Sequence, residues 1–123
     1  MSNWQEFVAK LTKFNMFDSA RRSAIKEWGK DIPTTVLFGL LGKALAEHAG
    51  EFGIEDRVGI FQIIEDGVAS EDAALKAYVS TGLLEAMYLR ACVEPQSWTE
   101  IRASLGPLSD GYLTEWGNLP SRR

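Results

Sequence analysis

Between Ile54 and Cys92 the apolar positions recur at spacings of three and four. Ile54, Val58, Phe61, Ile64 and Val68 form one stripe, and Leu75, Val79, Leu83, Ala86 and Met87 form a second. That period belongs to the amphipathic helix. The pattern predicts two helices with a tight break at Asp66-Gly67, where Gly67 would act as a left-handed terminator with Val68 packing back. Ser70 is placed to cap the second helix, which is the longest in the chain and must end before Pro95. Its small residues Gly82 and Ala86 predict a closely packed, central position.

The flanking sequence carries the same period. Ser2 and Gln5 read as a capping box, followed by Trp4, Phe7, Val8, Leu11 and Phe14 on one face of a helix reaching about Phe17. Asp18 would cap a second helix with Ala24, Ile25 and Trp28 inward. Pro33 suits the first position of a third, running to about Ala49 with Leu37, Leu40, Leu41, Ala44, Leu45 and His48 on its inner face. Gly39 and Gly42 lie inside that helix at a cost of about 1 kcal/mol each relative to Ala, which close approach by a neighbouring helix would explain. Ser97 with Glu100 predicts a short helix bearing Trp98, Ile101 and Leu105. After Gly106-Pro107, a last helix carries Leu108, Tyr112, Leu113 and Trp116 up to Gly117, and Ser121-Arg122-Arg123 is expected to fray. No segment alternates for long enough to predict a strand. The expected fold is all-α: one compact domain over residues 1–123, with six to seven helices as a bundle or a short HEAT-like stack. No clear sequence repeat accompanies it.

Composition agrees with a single domain. With 123 residues, 46% of them apolar, a chain of this size buries roughly two-thirds of the surface its unfolded form exposes. No apolar run approaches the ~20 residues of a membrane span; the longest, Val36 to Leu41, is soon followed by Lys43. The opening MSNWQEF lacks the basic-then-apolar layout of a secretory signal. Cys92 is the single cysteine, which excludes an internal disulfide and fits a reducing compartment. A cytoplasmic protein is expected, with Cys92 a buried, inert thiol.

Charge changes the picture. Residues 1–46 hold seven Lys/Arg and four Asp/Glu, whereas residues 47–72 hold eight acids against Arg57 alone, a net charge of −7. Such a field repels nucleic acid and membrane surfaces and attracts basic proteins. Four of these acids have a local reason. Glu55 and Asp56 open one helix, and Glu71 and Asp72 open the next, where negative charge is favourable by roughly 0.3–1 kcal/mol. The other four, Glu47, Glu51, Glu65 and Asp66, fall at predicted helix C-termini, where the dipole disfavours them. Antiparallel packing would gather the acids into two corners separated by roughly 15–18 Å along the helix, at 1.5 Å per residue. These four are the candidate contacts for a basic protein partner.

Catalytic chemistry finds no set of residues to stand on. His48 is the single histidine; it can share a helix face with Glu51, but a metal would need further ligands. Neither GxGxxG nor GxxxxGK[ST] occurs, and the glycines at 39, 42, 50 and 53 do not lie between a strand and a helix. The residues predict no catalytic role, no metal and no cofactor.

The segment IFQIIEDGVASEDAALKAYVSTGLLEAMY resembles a group of small all-helical bacterial proteins. In these an aromatic-aliphatic helix ends in an acidic pair, here Phe61 to Asp66, and the next runs through a small-Thr-Gly-Leu-Leu-Glu pattern, here Ser80 to Glu85. Proteins of this kind look like immunity proteins of bacterial toxin systems, contact-dependent growth inhibition among them. The resemblance spans about Val36 to Arg90. It implies a protein that binds and neutralises the toxic C-terminal domain of a cognate effector, expected to be a nuclease with a basic cleft. It also implies that Thr81, Gly82 and Glu85 mark the shared fold rather than the toxin contact. The alternative from the residues alone is a HEAT-like adaptor or regulator that binds an unrelated basic protein.

Overall fold

A computed structural model describes residues 3–120. Among these the chain is all-α, with α1 (Asn3–Leu11), α2 (Asn15–Trp28), α3 (Thr34–His48), α4 (Ile54–Val68), α5 (Ala73–Ala77), α6 (Glu85–Ala91), α7 (Pro95–Ser104) and α8 (Pro107–Trp116). A 3-10 turn, Ala49–Glu51, follows α3, and a π-helical segment, Tyr78–Leu84, joins α5 to α6 so that residues 73–91 form one continuous central helix. The expected cap at Ser2 and the expected fraying from Ser121 onward lie outside the described residues.

The centre of the molecule is the packing of α3 on the π segment and α6, and glycine makes it possible. A Cβ placed on Gly42 would run into the backbone carbonyl of Leu83, and one on Gly82 would lie 2.9 Å from the Cβ of Phe38. The two helix backbones therefore touch, as the sequence predicted from Gly39, Gly42 and Gly82. The π segment, in which the Glu85 amide bonds to the Ser80 carbonyl, sits at this contact. Around it Leu41, Leu45, Val79, Leu83, Leu84 and Met87 are fully buried, and Phe38 stacks on Phe7 with ring centroids 5.4 Å apart.

Several boundaries differ from expectation for local reasons. The first helix stops at Leu11, not Phe17: Thr12 turns its hydroxyl back onto the Val8 carbonyl at 2.8 Å, and Phe14 is extended before α2 begins at Asn15. Asp18 therefore sits in the first turn of α2 rather than at its cap. Gly29, at φ 86, ends α2. Gly67 is no terminator. It is buried inside α4, which continues to Val68, and a Cβ there would meet Val79 and Phe7. Asp72, not Ser70, caps the central helix; its Oδ1 accepts from the amides of Ala74 and Leu75 at 2.9 and 3.2 Å. At α7 the expected Ser97/Glu100 box is replaced by a start at Pro95 after Glu94.

Three burial expectations are corrected. Ile54 and Val58 are 83% and 64% exposed. The inward stripe of α4 (Ile60, Phe61, Ile64, Val68) is continued toward its start by Arg57, which donates to the Ala49 carbonyl at 2.6 Å and to Ser104 Oγ at 2.9 Å. The sole base of the acidic segment thus ties the end of the α3 region to α4 and α7, and displaces the two aliphatic side chains to the outside. Ile25 and Trp28 are exposed because the short α1 does not cover the last turns of α2, whose buried side is Phe17 and Ala24. Cys92 is exposed, one residue past α6.

The C-terminal helices are joined by polar contacts. Arg102 donates from Nε to Asp110 at 2.9 Å and from Nη2 to Thr114 Oγ1 and the Pro120 carbonyl at 3.1 and 2.7 Å. Tyr112 donates its hydroxyl to Glu85. Burial, then the bond to the Glu85 carboxylate, raise its pKa above the ordinary phenol value. Gly82 and Glu85 of the small-Thr-Gly-Leu-Leu-Glu pattern thus both serve packing. Among the described residues no helix is long and apolar enough to cross a membrane.

Candidate functional site: an acid-rimmed groove

α2 lies against α3 with small side chains between them, and the spacing leaves an open groove of about 640 Å³. Its floor is Ala20, Ala24, Leu40 and Ala44, and its rim carries Glu27 from α2 and Glu47 and Glu51 from α3 and the turn after it, with Lys43 and His48 among them. Large residues at 20, 24 or 44 would close the groove. A second hollow, about 450 Å³, shares Asn15, Met16, His48 and Glu51 with the first and extends the acidic rim to Asp56. Glu51 is exposed and lies 2.6 Å from Nδ1 of His48, while Glu47 is 3.4 Å from Nε of Arg90 on α6. Exposed pairs of this kind are worth about 0.2–1 kcal/mol, so neither holds its carboxylate strongly against a partner.

Asp66 belongs to another hollow, about 470 Å³, where Glu6, Glu71 and Asp72 meet beside Lys10. Gln62 donates to Asp66 at 2.8 Å, and both are exposed. Asp72 is more constrained. Its second oxygen accepts from Asn3 at 2.6 Å, and this bond, followed by the Leu75 amide, lowers its pKa below the usual carboxylate value.

Glu65 stands apart from the other three candidates. Its carboxylate accepts from the amides of Leu108 and Ser109 at 2.7 and 3.0 Å and from Ser109 Oγ at 2.7 Å. It therefore caps the N-terminus of α8 from across the molecule, where the dipole welcomes an anion. A Cβ at Gly106 would collide with that carboxyl group, so glycine at this position leaves the space the cap needs. Judged by its own helix Glu65 lies at an unfavourable C-terminus; the N-terminus that uses it comes 43 residues later, at Leu108.

The structure thus places Glu47 and Glu51 on one groove, Asp66 on a separate hollow, and Glu65, half-buried, at the contact of α4 with α8. Glu27 and Glu6 complete the two acidic surfaces and were not singled out from sequence. Glu27 was discoverable: it lies three positions beyond Ala24, at the edge of the inward side of α2. Among the described residues, no group of three His, Cys, Asp or Glu side chains is arranged to hold a metal ion.

No family model matches this chain, and no curated protein and no solved structure matches it. The function is therefore read from the chain's own residues.

Proposed function

We propose that this protein is a cytoplasmic immunity protein that binds and neutralises the toxic C-terminal domain of a cognate bacterial effector. The observation that carries the reading is the open groove between α2 and α3, whose rim sets Glu27, Glu47 and Glu51 around an apolar floor. An amphipathic basic element, such as the rim of a nuclease cleft, fits both features. Its apolar side meets the small-residue floor and its cations meet carboxylates that are only weakly engaged. The net charge of −7 over residues 47–72 adds long-range attraction, which raises association rates and discriminates against acidic partners. The resemblance of residues 61–66 and 80–85 to immunity proteins points the same way.

Neutralisation of this kind is occlusion and needs no chemistry from the inhibitor. The decisive experiment is co-expression with the toxic C-terminal domain of the large effector encoded directly upstream, scored by survival and by co-purification. Survival with a stable complex supports the reading. Continued killing with no complex, while the protein is folded and abundant, rejects it and leaves a HEAT-like adaptor for another basic protein.

A further inference from the structure

Two apolar surfaces of this chain lack cover, and their surroundings carry opposite charge. The first is a groove of about 400 Å³ between α1, α2 and the segment entering α3, lined by Trp4, Val8, Ile25 and Ile32 together with Arg21 and Lys30. Ile25 is 38% exposed and Trp28, one turn further on, is 51% exposed. Arg21 holds Asp18 through Nη2 at 3.1 Å while its Nε is buried without a hydrogen-bond partner, and no ion pair engages Lys30 among the described residues. The second surface is the start of α4. Ile54 and Val58 stand one turn apart as an exposed ridge, with Glu55 exposed along its edge, three positions before Val58.

We infer that these surfaces recognise each other between two copies of this chain. The Ile54–Val58 ridge of one copy enters the α1–α2 groove of the other, and Glu55 comes to rest against Lys30 and Arg21. Apolar burial supplies attraction, and charge complementarity fixes which surface meets which. The groove lies in the part of the chain with surplus positive charge and the ridge in the part with a net charge of −7, so ridge against ridge is repelled. Because the two halves differ, the contact is heterologous. Each copy carries both halves, so association extends head to tail, as a ring or as an open chain. The contact uses neither Glu47 nor Glu51 and is separable from the proposed toxin groove.

The test is sedimentation velocity on the full chain from low micromolar to millimolar concentration, at low and high salt. The average mass should rise with concentration above the 13.7 kDa of one chain, and the rise should shrink as salt increases. A ridge variant, Ile54→Lys, and a groove variant, Ile25→Asp with Lys30→Glu, alter exposed or partly exposed positions, and circular dichroism should show both folded. Each alone should weaken self-association tenfold or more. Mixing the two should restore association, because the first keeps its groove and the second keeps its ridge. A single-chain mass at every concentration overturns the inference. So does self-association that survives both variants, or a mixture that stays monomeric.

Discussion

Replacement of Glu65 separates a cap from a surface charge. Its carboxylate holds two first-turn amides and one hydroxyl of α8, and Ser109 is fully buried. Losing an N-cap costs about 0.5–2 kcal/mol, the favourable charge at a partly buried helix terminus is worth up to about 2 kcal/mol, and a buried donor left unsatisfied costs about 1–3 kcal/mol. These overlap, so Glu65→Ala should cost about 2–3 kcal/mol. For a chain of this length that corresponds to a fall in Tm of roughly 8–12 °C. Glu65→Lys should be worse, since it sets a cation against the positive end of α8. Asp66→Lys, next to it but exposed, should change Tm by no more than about 2 °C. The assay is thermal melting by circular dichroism, with Gly106→Ala alone and combined with Glu65→Ala. Gly106→Ala should be costly in the parent and cheap once the Glu65 carboxylate is gone, a non-additivity characteristic of groups in contact. If Glu65→Ala melts with the parent, or if the two changes add, the carboxylate is not the cap of α8.

Four other outcomes are expected. Gly42→Ala should destabilise by at least the roughly 1–3 kcal/mol of an overpacked core, and Gly82→Leu likewise, because the added atoms meet Leu83 backbone and Phe38; denaturant melts measure both, and an unchanged midpoint would disprove the backbone contact. Asp72 has a pKa depressed below the usual carboxylate value by the Asn3 bond first and the Leu75 amide second. Its contribution to stability is thus fully present above the unfolded value and lost as pH falls through the lower folded one, and Asn3→Ala should move its titration, followed by carboxyl NMR, back up. Tyr112 has a raised pKa, so its contribution is complete below about pH 10 and is lost as pH rises further; Tyr112→Phe should be less stable at neutral pH and should flatten that alkaline loss. Glu47→Lys with Glu51→Lys should leave Tm within about 2 °C, since only exposed pairs are broken, yet weaken binding of the toxin domain by tenfold or more in calorimetric titration; unchanged affinity would move the docking site off the α2–α3 groove.

The fold was legible where burial repeats along one helix. Leu37, Leu41, Ala44 and Leu45 on α3, and Leu75, Val79, Leu83 and Met87 on the central helix, follow the helical period and are all buried. The close approach of the two helices was legible because glycine inside a helix has a cost that only a neighbour explains. The π segment was not, since a register change of one residue leaves no mark in a pattern read at spacings of three and four. Ile54 and Val58 fit the apolar period of α4 but not its inward side, because Arg57 reaches partners that only the folded chain supplies. Periodicity gives the stripe; it does not say which of two neighbouring stripes meets a second helix.

The same limit governed the acids, and it bears on how function should be sought in a small helical protein of this charge. A carboxylate at the C-terminal end of its own helix looks frustrated when its helix is considered alone. Glu65 is not frustrated, because α8 brings a helix N-terminus to it. Among the described residues Glu47 pairs with a loosely held Arg90 and Glu51 with a half-exposed His48. The distinction that matters is whether the fold supplies donors that compensate the charge. Where it does, the acid is part of the structure and its removal is felt in melting. Where it does not, the unfavourable position persists without return in the isolated protein, and a basic partner is what would compensate it. The surplus narrows from four residues to three, and the α2–α3 groove is the larger of the two acidic hollows and carries two of them, Glu47 and Glu51, whereas the other carries Asp66 alone.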